Sequence, residues 1–204
     1  FLFGLILFFA SPSFAAVGAP QSVRAVGFSP SKITVQWIYG GTITGFIIER
    51  SLTPNGGYAE IARVSAAVRS YTNIGLYADT AYYYRMRAYK GTSPNNVSGY
   101  SLIAASATTL LLAPVVSAGM DRTVTLPAGS TLTGTSFIDG VRPTDVVSYQ
   151  WTEVGGPDAA MIASPQTLTT TVTFPVAGQY VLRLTVTVTT LSGNIISGDA
   201  LAAR

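Results

Sequence analysis

The stretch Ala81-Tyr82-Tyr83-Tyr84-Arg85-Met86-Arg87-Ala88-Tyr89 decides how this chain folds. Tyr82, Tyr84, Met86 and Ala88 alternate with Tyr83, Arg85, Arg87 and Tyr89. Successive side chains of an extended strand point to opposite faces, so this period of two makes an apolar inner face and a basic, phenolic outer one. Upstream the pattern repeats. Ile33, Val35 and Trp37 share a face opposite Thr34 and Gln36, and Phe46 and Ile48 do the same after Gly40-Gly41. Pro54-Asn55-Gly56-Gly57 is a strong turn signal, and residues 58–64 and 69–76 read as further strands. Turns about every ten residues between such strands make a sandwich pattern.

A second cycle follows Leu110-Leu111-Leu112-Ala113-Pro114, read as a strand end plus a short, stiff linker at 110–113. Val124 and Leu126 precede Pro127-Ala128-Gly129, and Val147, Tyr149 and Trp151 alternate with Ser148 and Gln150. Residues 167–174 and 181–188 alternate Thr with Val or Leu, which makes Leu182, Leu184, Val186 and Val188 the inward set. Sixteen Thr fall between 110 and 204, and β-branched hydroxyls suit the solvated face of an antiparallel sheet. No segment sustains a helical period. The expected fold is all-β, two tandem β-sandwiches.

Composition then removes whole classes of chemistry. The 204 residues contain no cysteine and no histidine, so no Ser-His-Asp triad, thiolate nucleophile, disulfide or ordinary zinc site can form within the chain. A catalytic Thr would need an activating base or a free N-terminus, and neither is visible. Glycosidases need two acids about 5 to 9.5 Å apart in a cleft, but Glu49, Glu60 and Asp79 are scattered over strand and turn positions. Residues 20–109 carry eight Lys or Arg against three acids, whereas 110–204 carry four against six. The basic residues occur singly and form no run, so nucleic acid is not an expected partner.

Mean hydropathy is +0.40 with 10% charged residues, which raises the question of a membrane. Residues 1–10 are apolar except for Gly4, and the first charge is Arg24. Ten residues cannot cross a hydrocarbon layer that needs about 20. They match the apolar region of a signal peptide, and Ser13-Phe14-Ala15 supplies the small residues of a cleavage site after Ala15. The alternatives are a buried N-terminal strand or a truncated membrane helix. The leader lacks an initiating Met and a basic start, so the chain reads as a fragment. No other segment is long and apolar enough to span a bilayer, and a disulfide-free exported chain fits a bacterial source. The expected location is secreted or cell-surface.

Residues 20–109 resemble a fibronectin type III domain. The resemblance rests on Pro20, on Ile33-Thr34-Val35-Gln36-Trp37, on Thr44-Gly45-Phe46-Ile47-Ile48-Glu49-Arg50, and most specifically on Leu76-Tyr77-Ala78-Asp79-Thr80-Ala81-Tyr82. It implies a buried Trp37 and a tyrosine corner at Tyr82, the hydroxyl bonding back to the preceding loop. Ala78 stands where the family usually has Pro, and no Arg-Gly-Asp occurs. Residues 114–204 resemble a PKD-type immunoglobulin-like domain of bacterial extracellular proteins. That likeness rests on Pro114-Val115-Val116-Ser117-Ala118-Gly119-Met120-Asp121, on Tyr149-Gln150-Trp151, and on Val176-Ala177-Gly178-Gln179-Tyr180 feeding a strand. The Trp-Asp-Phe-Gly-Asp-Gly signature of the narrower group is absent. The final strand is expected after Asp199, which would leave this domain clipped or only just complete at Arg204.

Trp37, Tyr82 and Trp151 are therefore the structural anchors. Asp121, Asp139, Asp145 and Asp158 sit in loops and are candidate calcium ligands, since calcium takes six to eight oxygens, although Asp139-Gly140 and Pro157-Asp158 are also ordinary turn formers, the reading favoured here. No other cofactor is implied. Tyr77, Tyr83, Tyr89 and Tyr100 are candidate sugar-stacking residues, set against a role in cross-strand pairing. The expected function is a non-catalytic spacer or adhesion-type module of an exported bacterial protein, with other domains of the same chain, an extracellular polysaccharide or a surface protein as partners. The alternative is an accessory, carbohydrate-binding module of a secreted polysaccharide- or protein-degrading enzyme whose catalytic domain lies outside this stretch.

Overall fold

Alternating apolar residues bounded by Gly, Pro and Asn turns give fifteen β-strands and no helix among the described residues of the computed structural model. Those residues are 16–92, 96–102 and 105–203. The signal-peptide reading of residues 1–15 lies outside them. The first seven strands are β1 (Gln21–Gly27), β2 (Ile33–Ile38), β3 (Gly45–Ser51), β4 (Ala59–Ser65), β5 (Ser70–Asn73), β6 (Ala81–Tyr89) and β7 (Ala105–Thr108). They form one sheet in the order β1-β2-β5 and another in the order β4-β3-β6-β7. The remaining strands are β8 (Val115–Ser117), β9 (Ser130–Thr133), β10 (Thr135–Phe137), β11 (Val146–Gly155), β12 (Met161–Ile162), β13 (Thr169–Thr173), β14 (Val181–Thr189) and β15 (Ile195–Ala203). Their sheets run β10-β8, β12-β13-β9 and β11-β14-β15.

Contacts divide the chain into two compact units. One takes in the described residues up to Arg24, with Gln36–Ser70 and Tyr83–Ala105; the other takes in Ala25–Val35, Tyr71–Tyr82 and Ser106–Arg204. In the first, Trp37 meets Phe46 edge-on with ring centroids 5.2 Å apart, and Tyr39 meets the same ring at 5.3 Å. Phe46, Ile48, Tyr84, Met86 and Ala88 are fully buried beside them. In the second, Ala118, Leu132, Trp151, Val172, Leu182, Leu184, Val186 and Ala202 form one core. Trp151 lies opposite Leu184 in the β11–β14 register, and its indole N–H donates to the Thr167 carbonyl at 3.0 Å. Burying an indole while satisfying its one donor removes the cost of an orphaned polar group.

The final strand departs from the sequence-based expectation. β15 begins at Ile195, and Asp199 sits in its middle, opposite Thr185. The reason is the turn. Gly193 adopts φ 86°, a conformation open to glycine at little cost, and its N–H donates to the Thr190 carbonyl at 2.9 Å. The chain therefore reverses directly after β14 and pairs with it over nine residues.

Candidate functional site

The outer face of the β4-β3-β6 sheet collects the first unit's charge and aromatic surface. Register places Arg87 and Arg63 on either side of Ile47, and Arg85 opposite Glu49. The Glu49 side chain is only 7% exposed. An ionised carboxylate at that depth must be paired, and its partners are numerous. Arg85 Nε donates to one oxygen at 2.8 Å, the Tyr100 hydroxyl donates to the other at 3.0 Å, and Arg87 Nη2 lies 3.4 Å away. Arg85 is itself held between two rings, 4.3 Å from the Tyr58 centroid and 3.8 Å from that of Tyr100. Burial raises the pKa of the Tyr58 hydroxyl above its ordinary value against the opposing Arg85 charge.

Gly45 sets the upper end of this face. A Cβ there would lie 2.2 Å from the Val64 carbonyl oxygen and 2.9 Å from the Tyr89 hydroxyl. Only glycine lets the Tyr89 ring lie across β3, where Arg63 caps it at 5.7 Å. The face is a mesh of guanidinium, phenol and one central carboxylate.

Among the four candidate sugar-stacking residues, Tyr100 and Tyr89 belong to this mesh, and each carries a guanidinium over its ring. Tyr83 lies further along β6 opposite Ser51, half-buried. Tyr77 is 43% exposed and stands apart, with Arg142 over its ring at 5.5 Å. The surface therefore offers guanidinium edges more than bare phenol faces.

The four aspartates offered as calcium candidates or as turn formers are not gathered into one group. Among the described residues no group of three acidic side chains could hold a metal ion. Three of the four instead accept from backbone N–H groups. Asp121 accepts from the Ala203 N–H at 2.7 Å, Asp158 from its neighbour Ala159 at 2.8 Å, and Asp145 from Arg142 at 2.8 Å and Leu191 at 3.1 Å. Asp139 precedes Gly140 at a turn with φ 72°. The contacts of Asp158 with Ala159 and of Asp145 with Arg142 are turn roles open to any Asp.

Trp37 is 4% exposed and Trp151 1%. The Tyr82 hydroxyl accepts from the Tyr77 backbone N–H at 3.0 Å, closing the loop before β6. Sequence reading did not single out Glu49. The available signal was a lone acid directly after the apolar run 46–48, with two arginines spaced i, i+2 on a candidate neighbouring strand.

Residues 18–104 match the model of the fibronectin type III domain, and residues 118–194 match the model described as K319L-like, PKD domain. The mouse dyslexia-associated protein KIAA0319-like protein is 40% identical over 76 residues, 36% of this chain; the chain spans 7% of that protein's length. A two-domain fibronectin type III segment from chicken tenascin aligns at 16% identity over 89% of this chain and 98% of its own, with a TM-score of 0.47. An Fn3-like protein from Clostridium thermocellum aligns at 24% identity over 48% of this chain and 98% of its own, with a TM-score of 0.40.

Proposed function

From a chain that carries a fibronectin type III domain followed by a PKD domain, we propose a non-catalytic extracellular module that spaces or attaches other parts of a larger exported protein. The observation that carries this reading is how the polar side chains are spent. Glu49 pairs with Arg85, Arg87 and the Tyr100 hydroxyl on the sheet surface, and Asp121, Asp145 and Asp158 cap backbone. Polar groups locked in this way hold a fold together and are not poised to exchange protons with a substrate. Sandwiches built from antiparallel sheets also keep their ends apart under load, because many ladder hydrogen bonds must break before the chain lengthens.

No helix among the described residues is long and apolar enough to cross a membrane. Export in this reading uses residues 1–15 as a signal peptide, and the disulfide-free composition supports a bacterial host. Expression in a bacterial exporter is expected to release a product beginning at Ala16, read by N-terminal sequencing. Retention of the leader would remove the export part of the proposal.

The spacer role is tested by pulling the chain between two handles in a single-molecule instrument. Discrete releases of about 300 Å are expected, from roughly 87 residues at about 3.5 Å each. Smooth lengthening without steps would end the spacer reading. For attachment, beads coated with the protein are offered polysaccharide and protein surfaces; steady turnover of either surface in place of retention would overturn the non-catalytic assignment.

A further inference from the structure

The densest polar cluster within the second compact unit was not legible in the sequence. It centres on Asp79, in the loop between β5 and β6. Its Oδ2 accepts three side-chain hydrogen bonds from the β14–β15 turn: Thr190 Oγ1 at 3.0 Å, Asn194 Nδ2 at 2.8 Å, and the Ser192 hydroxyl. These donors lie 111 to 115 positions away in the chain, so only the fold brings them together. A second carboxylate grips the same turn, Asp145 Oδ1 accepting from the Leu191 N–H at 3.1 Å. The turn holds itself through Thr190 N–H to the Asn194 carbonyl and Gly193 N–H to the Thr190 carbonyl, both at 2.9 Å.

The Asp79 loop is itself fixed. Ala78 N–H donates to the Gly140 carbonyl at 2.7 Å, Thr80 N–H to Thr109 Oγ1 at 3.1 Å, and Asp79 N–H to the Leu110 carbonyl at 3.4 Å. Asp79 adopts φ 49°, a left-handed conformation that is uncommon for a residue other than glycine and tolerated best by Asn and Asp. A strained backbone held from several sides, aiming one carboxylate at three donors, is pre-organised to grip the turn.

We propose that Asp79 is an acid-released latch on the β14–β15 turn, closed at neutral pH and open once its carboxylate takes up a proton. A protonated carboxyl loses the charge that makes three simultaneous donors favourable. The direction of titration agrees. Hydrogen bonds from Ser192 first, then from Asn194 and Thr190, together with the Arg142 charge, hold the Asp79 carboxyl below its ordinary value, against desolvation. A group lowered in the folded state stabilises that state above its unfolded pKa of about 4 and loses this contribution as pH falls through the folded value. The other charged groups around the turn are Arg142, whose guanidinium donates to Thr80 Oγ1, and the carboxylates of Asp145 and Asp139.

Native-state amide exchange on the full chain tests the latch, read as protection factors at Thr190, Leu191 and Gly193. Asp79→Asn keeps the side-chain size and the left-handed backbone but removes the charge. At pH 7 it is expected to lower protection at these three amides about tenfold, the scale of one hydrogen bond to a charged group, while Leu184, Val186 and Val188 keep theirs. In wild-type protein titrated downward from pH 7, the same protection is expected to persist through the ordinary carboxylate range and to be lost only below it. Unchanged protection in the variant overturns the proposal, as does an equal loss throughout β14, which would place Asp79 in global stability instead. Should Asp79→Asn not fold, Asn194→Ala decides: it deletes one donor on the exposed turn, and a loss confined to 190–193 supports the latch whereas no loss ends it.

Discussion

The strands β3 and β14 occupy the same place in their sheets, each paired on both sides by antiparallel neighbours, yet their outer faces are covered in opposite ways. β3 is buried at every residue but the half-buried Arg50, whereas β14 alternates half-buried with buried residues along its length. The difference is the length of the side chains around them. Beside β3 stand Arg63, Arg85, Arg87, Tyr89 and Tyr100, whose stems and rings lie across the strand and screen Glu49 and Ile47 from water. β14 presents Thr185, Thr187 and Thr189, flanked by Ser148 and Ser197 in register, and these are too short to cover anything. One face is covered by a charged mesh, the other by hydroxyls with a single ion pair, Arg183 to Asp199 at 3.3 Å, near one end. An antiparallel sheet tolerates either because only its inner face has to be dry.

The inner faces should respond to damage alike and the outer faces should not, which makes the contrast measurable. Leu184→Ala removes a fully buried side chain from β14 and is expected to cost about 2–5 kcal/mol, read from the urea midpoint at constant slope; a cost under about 1 kcal/mol would mean that the core collapses around the gap. Glu49→Ala strikes the outer face of β3. It strands two guanidinium groups that are 30% and 31% exposed, so the expected loss is about 2–3 kcal/mol, reduced by that exposure from the value for a fully buried pair. An effect near zero would show that the mesh is decoration. Thr187→Val makes the matching change on β14, losing a hydroxyl contact of 2.8 Å to Ser197, and thermal melting should place it within about 0.5 kcal/mol of wild type. A larger loss would mean that hydroxyl faces contribute as much as charged ones, and the comparison would fail.

Much of the architecture was legible because the period of two is a local property. Tyr82, Tyr84, Met86 and Ala88 are buried, as are Leu182, Leu184, Val186 and Val188, since a strand with apolar residues at every second position has only one way to keep them dry. The placement of β15 was less legible. Its sequence Ile-Ile-Ser-Gly-Asp-Ala-Leu-Ala-Ala mixes small, polar and apolar residues without clean alternation, and pairing to β14, more than any pattern of its own, makes it a strand. The candidate site was legible in part. Outward Tyr and Arg on β6 could be read from alternation, but the burial of Glu49 depends on side chains from β6 and from Tyr100, 51 positions away.

The sequence alone determined the class of fold and the chemistry that is out of reach. Alternation specifies strands, turn residues punctuate them, and a chain without cysteine or histidine has no thiolate or imidazole to offer, whatever its shape. Tertiary structure alone decided what each charge does. Asp121, Asp145 and Asp158 became backbone caps, Glu49 became the centre of an arginine mesh, and Asp79 met Thr190, Ser192 and Asn194. Hydrophobic pattern is carried by neighbours in the chain, but a carboxylate's role depends on which donors lie within about 3 Å, and for Glu49, Asp79 and Asp121 those donors come from distant segments that only the folded chain brings together.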